Sequence, residues 1–236
     1  MIPKIVFKEI PLKLEVEMFS AFLDREHSSR ILPKYPQFST IAEPRLQTIE
    51  TELIRIRKDR AEEIKTKSLE IEKNWRMIEQ NIFETLSEII QEEWPEREVT
   101  AYVSVNPVCP RFLDSWSFSV TFDSKCSNMI ITHEISHFLY FKKLKKEFPE
   151  ITRRNYESPH KEWILSEIIA TIILNDPRIK NIIGQNAGYY EKHKAIMIDG
   201  KPLTGLIENL YQELVVGKHD FTGFIKEGLR VINLIK

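Results

Sequence analysis

No glycine precedes Gly184 in this chain of 236 residues; all seven lie at or after that position. A stretch that long without the residue that turns most freely is expected to be helix-rich, with its turns carried by Pro, Asn, Asp and Ser. Cysteine is scarce too. Cys109 and Cys126 are the only two, which excludes a secreted disulfide scaffold and suits two isolated thiols in a reducing compartment. No apolar run reaches bilayer length. Lys4, Lys8 and Glu9 interrupt the first ten residues, and no small-residue cleavage site follows. The expectation is a cytoplasmic chain with no membrane partner. A formal net charge of -1 provides no field to attract nucleic acid, and no glycine-rich phosphate loop, nucleotide fingerprint or nucleic-acid motif is present. What the chain does have is 42% hydrophobic and 29% charged residues, enough for a sizeable core under a well-solvated surface.

The pattern along the chain predicts an α+β fold. Lys4 to Leu14 alternates like a strand, and Pro33 and Pro36 place a loop in Ile31 to Thr40. Between Pro44 and Pro95 neither glycine nor proline occurs. Apolar residues recur there at three- and four-residue spacing, through Leu46, Ile49, Leu53 and Ile56 and again through Ile71, Trp75, Ile78, Ile82, Leu86 and Ile89. Pro44 suits the first helical position and Pro95 stops the run. The pattern weakens at Thr66 to Ser68, so two helices folded as an antiparallel pair are expected. After Pro95, Val99 to Val105 and Ser115 to Phe122 read as strands, the second half-buried, with Trp116, Phe118, Val120 and Phe122 on its apolar face. Apolar helices follow at Met129 to Phe141 and Glu162 to Leu174, then from about Leu206 to Val216 and over Phe221 to Ile235. These boundaries divide the chain into a mostly helical N-terminal region, 1–95, and a second region, 96–236. Lys142, Lys143, Lys145 and Lys146 close the first of these helices, as a solvated end at its negative pole or as a contact for an acidic partner.

That helix carries His133-Glu134-Ile135-Ser136-His137. Two histidines four residues apart lie on one helix face, about one turn apart, where both can bind one metal ion. Glu134 sits beside them as a general base. Glu134 is also the only charged residue between Met129 and Phe141. Two imidazoles and a carboxylate among bulky apolar neighbours need partners, and a metal provides them. A catalytic zinc commonly takes three protein ligands and keeps one position open. Glu167 is the preferred third ligand, because it interrupts an otherwise apolar helix, and 29 residues separate it from His137, room for one connection and a second helix packed on the first. His160, after Ser158-Pro159, is the rival.

The motif and its helical setting resemble the zincin superfamily of metallopeptidases. A downstream helical glutamate makes the chain similar to the gluzincin branch, that of thermolysin. The resemblance covers roughly residues 115–174. It implies a zinc-dependent hydrolase of peptide bonds, with one Zn2+ held by His133, His137 and Glu167 and with Glu134 as general base. It implies a small antiparallel sheet packed on the motif helix, and a strand, Ser115 to Phe122, that pairs with an extended peptide. It also implies a donor to the tetrahedral oxyanion, for which Tyr190 and His193 are the candidates, with Tyr189 and His219 behind them. The chain departs from the thermolysin pattern at Ser166 and Thr171, where that pattern has Asn and Asp, which removes the expected support for the first histidine. The elongated third motif of metzincins is absent. Cys126, seven residues before His133, is a weak candidate for a thiol ligand. The competing expectation is a metal-stabilised binding or regulatory module that does not cleave, with its long charged helices as the working surface.

Overall fold

The computed structural model describes residues 2–24, 27–41, 45–95 and 98–235. Its contacts form two units that interleave along the chain, so neither is a contiguous 1–95 or 96–236 piece: Pro3–Met77 with Arg97–Ile131, and Ile78–Glu96 with Thr132–Lys236 and Met1–Ile2.

The first unit holds the sheet. Strand β1 (Ile5–Glu9) leads at Pro11 into helix α1 (Leu12–Leu23), followed by a short α2 (Ser28–Ile31), α3 (Arg45–Asp59) and α4 (Ala61–Arg76). Strands β2 (Val99–Ser104), β3 (Arg111–Phe112) and β4 (Ser117–Thr121) complete a sheet ordered β1-β2-β4-β3. The α+β class is as expected, but the sheet is mixed rather than antiparallel. β1 pairs with β2, and β2 with β4, in parallel; only β3 runs antiparallel to β4. Long returns bring the chain back to the same end before β2 and before β4, which makes those pairs parallel. β3 and β4 are joined by the tight turn Leu113–Ser115, closed by Trp116 at φ 49. β4 is buried on both faces, Ser117, Ser119 and Thr121 included, and not half-buried as its alternation suggests. Its β3 side is occupied: Arg111 and Phe112 stand opposite Phe118 and Ser117, and the Ser119 amide donates to the Pro110 carbonyl. A peptide has no free edge along that part of β4.

The expected helix break is displaced. The chain breaks at Arg60 and again at Met77 and Ile78, giving three helices in place of two. Ser68 stays within α4, its hydroxyl donating to the Ile64 carbonyl of the preceding turn at 2.7 Å. Arg60, at φ -112 and ψ 15, instead lays its guanidinium on the Phe122 ring at 4.6 Å and pairs with Glu63. Pro44 lies outside the described residues. α3 packs on α1, and Arg57 on α3 donates to the fully buried Glu15 carboxylate of α1. Glu15 also accepts from the Ser104 hydroxyl at 2.5 Å and the Val105 amide at 2.9 Å, so the buried charge is fully coordinated.

The second unit is almost wholly helical: α5 (Glu79–Ile90), most of α6 (Ser127–Glu147), α7 (Lys161–Asn175), α8 (Pro177–Ile183), α9 (Glu191–Lys194), α10 (Leu203–Leu210) and α11 (Phe221–Ile232). α7 is buried on every side from Leu165 to Leu174, as its continuous apolar run requires. It stops where Asp176 turns to cap α8, accepting from the Arg178 amide, with Pro177 in the first helical position. α8 and the hairpin β5–β6 (Met197–Ile198 with Lys201–Pro202) add to the expected elements. The hairpin turns at Asp199-Gly200, both at positive φ, a two-residue signal legible in the sequence. α11 approaches α7 at Gly228, where a side-chain carbon would meet Leu165 Cδ1 at 3.2 Å.

The lysine-rich end of α6 is neither merely solvated nor left for an acidic partner. α5 ends at Gln91, in the left-handed region at φ 55. Lys142 pairs with Glu92 at 2.7 Å and donates to the Glu93 carbonyl; Lys143 donates to the Gln91 carbonyl; Lys146 reaches Glu92 at 3.3 Å. Lys145 alone of the four is plainly exposed with no such bond in this turn.

Candidate metal centre

α6 presents His133 and His137 on one face, and α7 brings Glu167 to them. The two imidazole Nε2 atoms are 3.0 Å apart. Glu167 Oε2 lies 3.3 Å from His133 Nε2, and its Oε1 lies 3.5 Å from His137 Nε2. Donors set tetrahedrally at about 2.0–2.1 Å from a zinc ion stand about 3.3 Å from one another. The three observed separations bracket that spacing. Two imidazoles and a carboxylate are also a donor set that zinc accepts, though other divalent ions share it. The residues therefore fit a metal ion, and among the described residues no other His, Cys, Asp and Glu side chains form a comparable group.

Burial makes the arrangement one-sided. His137 is 0% exposed and Glu167 4%, whereas the His133 side chain is 17% exposed. The group is thus open towards His133. Glu134, 6% exposed, sets its Oε1 4.0 Å from His133 Nε2, beside the three donors rather than among them. The orientation of His137 comes from packing: its ring stacks on Phe141 at 5.9 Å, and Phe141 stacks on Tyr156 at 4.3 Å. The two departures from the thermolysin pattern have a local use. Ser166 donates to the Trp163 carbonyl and Thr171 to the Glu167 carbonyl, so both hydroxyls donate within α7 and not to His133.

The other sequence-predicted residues separate. His160 stands at the residue before α7, with no capping hydrogen bond from its side chain, and is not in the group, so the structure brings Glu167 to the histidines in preference to it. Cys126 lies outside the group, in the turn before α6, with its sulfur near the Ser124 hydroxyl. His219 is exposed at φ 54, its carbonyl accepting from Gln91. The Tyr189 hydroxyl donates to Glu208 at 2.6 Å; burial, and then that bond, push its pKa well above the ordinary phenol value. Tyr190 and His193 pack together at 5.3 Å, and His193, 1% exposed, lies against Trp163 at 5.5 Å. Trp163 is four residues before Glu167 on α7, so this cluster adjoins the same face one turn away. Trp163 was the residue the motif did not point to; an aromatic at i−4 from a lone buried carboxylate was the available signal.

No family model, curated protein or solved structure matches this chain. Among the described residues, no helix is long and apolar enough to cross a membrane. The fold is α+β with a small mixed sheet, and the group of His133, His137 and Glu167 is one that could hold a metal ion.

Proposed function

We propose that the chain is a zinc-dependent hydrolase of peptide bonds, a zincin-like enzyme with His133, His137 and Glu167 as ligands and Glu134 as general base. The observation that carries this reading is the convergence of three donors at 3.0–3.5 Å with a second, non-ligating carboxylate, that of Glu134, 4.0 Å from His133 Nε2. A zinc ion in such a set supplies a Lewis acid and makes water acidic enough to lose a proton near neutral pH. Glu134 takes that proton as the water oxygen attacks the carbonyl carbon. It then delivers the proton to the amine nitrogen as the C–N bond breaks. Its near-burial strengthens each of these electrostatic contacts relative to bulk water. Tyr190 and His193 are the proposed donors to the developing oxyanion; their support is the place of their cluster one turn before Glu167. A peptide or protein is the substrate.

The second reading is a metal-stabilised module that binds without cleaving. It is favoured by Ser166 and Thr171, whose hydroxyls donate within their own helix where a thermolysin-like site would orient a ligand. Glu134→Gln separates the two. In the enzyme, zinc content stays the same and turnover of a mixed peptide library, read by mass spectrometry, falls about 10²–10⁴-fold. If the zinc-loaded wild type cleaves nothing, the hydrolase reading falls and the module stands; if the variant cleaves equally well, Glu134 is not the general base and the mechanism built on it falls.

A further inference from the structure

Beside the metal group, a cation rests on aromatic rings. The Lys192 ammonium lies 4.8 Å from the centroid of Trp163 and 6.0 Å from that of Tyr190. His193 packs against both rings, at 5.5 Å and 5.3 Å, and so fixes the angle at which they present their faces. Ring faces carry the negative end of the aromatic quadrupole, so such a pair selects ammonium and guanidinium groups and rejects carboxylates.

We propose that Trp163 and Tyr190 form a subsite for a lysine or arginine side chain of the peptide, and that Lys192 occupies it when no peptide is bound. The proposal deepens the hydrolase reading and rests on it for the role of this subsite in substrate choice. Location is the first support. Trp163 and Glu167 are a helical i, i+4 pair, whose Cβ atoms lie about 5–6 Å apart. One residue of extended peptide spans about 3.3–3.6 Å. A basic side chain one or two residues from a bond held at the metal group therefore reaches the rings. The second support is the resident itself. Lys192 is exposed, on the one-turn helix α9, and Trp163 and Tyr190 are only half-buried. A cation–π contact at such an exposed site is weak enough for a cation of the same chemistry to replace it.

The test uses the full-length, zinc-loaded Glu134→Gln protein, so that bound peptide is not consumed, with 5-fluorotryptophan in place of tryptophan. The probes are acetyl-Ala-Ala-Lys-Ala-Ala-amide and the same peptide with norleucine for lysine. The Trp163 fluorine resonance is assigned with Trp163→Phe, and independently by its shift in Lys192→Ala. The lysine peptide is expected to move that resonance and the norleucine peptide to leave it in place. Lys192→Ala is expected to tighten binding of the lysine peptide about 2- to 5-fold, the weight of one exposed cation–π contact. Equal shifts from both peptides, no shift at millimolar peptide, or weaker binding in Lys192→Ala each overturn the subsite. Because binding is read without turnover, the two readings fail separately. A wild type that cleaves peptides without this lysine response keeps the hydrolase and loses the subsite. A lysine response in a chain that cleaves nothing does the reverse.

Discussion

Replacing Glu167 by alanine tests the metal group most directly. Glu167 is the one donor from α7, and its two oxygens face both imidazoles, at 3.3 Å and 3.5 Å. Loss of a residue that merely supports a ligand lowers metal affinity about 10–100-fold. Loss of a direct donor should reach at least the upper end, about 100-fold, which is about 2.7 kcal/mol. In the metal-free chain the same change removes a carboxylate that is 4% exposed, so folding without zinc is affected less. Stabilisation by zinc follows RT ln(1 + [L]/Kd) and should shrink by about that same 2.7 kcal/mol when zinc is well above both dissociation constants. The assay is metal content by mass spectrometry after a graded chelator challenge, paired with thermal unfolding in the presence and absence of zinc. Wild type should hold about one ion per chain; the variant should lose it at far weaker chelation. His160→Ala is the control and should keep its metal, since His160 stands outside the group. Wild-type zinc affinity in Glu167→Ala would refute the reasoning, and metal loss in His160→Ala would transfer the third position to it.

Three further outcomes are expected. Glu15→Gln weakens a fully buried charge that holds Arg57, Ser104 and Val105; urea unfolding should show a loss of about 3–5 kcal/mol, the usual cost of breaking such a pair, and a loss under about 1 kcal/mol would contradict it. Burial pushes the Glu92 carboxyl up, but the Lys142 and Lys146 ammonium groups outweigh it and hold the pKa below its ordinary value. A depressed folded pKa stabilises above the unfolded pKa of about 4.3 and loses that contribution as pH falls through the folded value. The stability gap between wild type and Glu92→Gln, measured by denaturant unfolding, should therefore be present at neutral pH and close under acid, and a gap that widens under acid would overturn the assignment. The Tyr140 hydroxyl is buried with no hydrogen-bond partner among the described residues, and an unsatisfied group of that kind costs about 1–3 kcal/mol. Tyr140→Phe should be at least as stable as wild type in thermal unfolding; a clear loss would reveal a partner for that hydroxyl.

The parts of the site legible in the sequence were those set by helix period and by the cost of a buried charge. His133 and His137 followed from spacing, and Glu167 from being the lone carboxylate in an apolar helix. β2 and β4 were legible as strands, but their direction was not, because alternation is the same in parallel and antiparallel pairs. The break at Arg60 was hidden because its cause is tertiary: the side chain rests on Phe122, 62 residues further along. The local weakening near Thr66 to Ser68 was real in pattern, but Ser68 bonds back to its own helix and nothing breaks there. The lysines of α6 were read as a generic helix end because nothing local to them points to the turn at 91–93 that they bind.

That turn has a bearing on the histidines. Lys142, Lys143 and Lys146 hold the last turns of α6 to the segment Gln91–Glu93. Lys142 is five residues beyond His137, a rise of about 7.5 Å along the axis. A helix gripped so close to its working face has lost the freedom to roll. One residue of slippage would swing both imidazoles through about 100°, away from Glu167. The polypeptide has in effect a detent, a catch that sets the angular position of a shaft, and the aim of its donor atoms depends on four carbonyl and carboxylate contacts with no ligand among them.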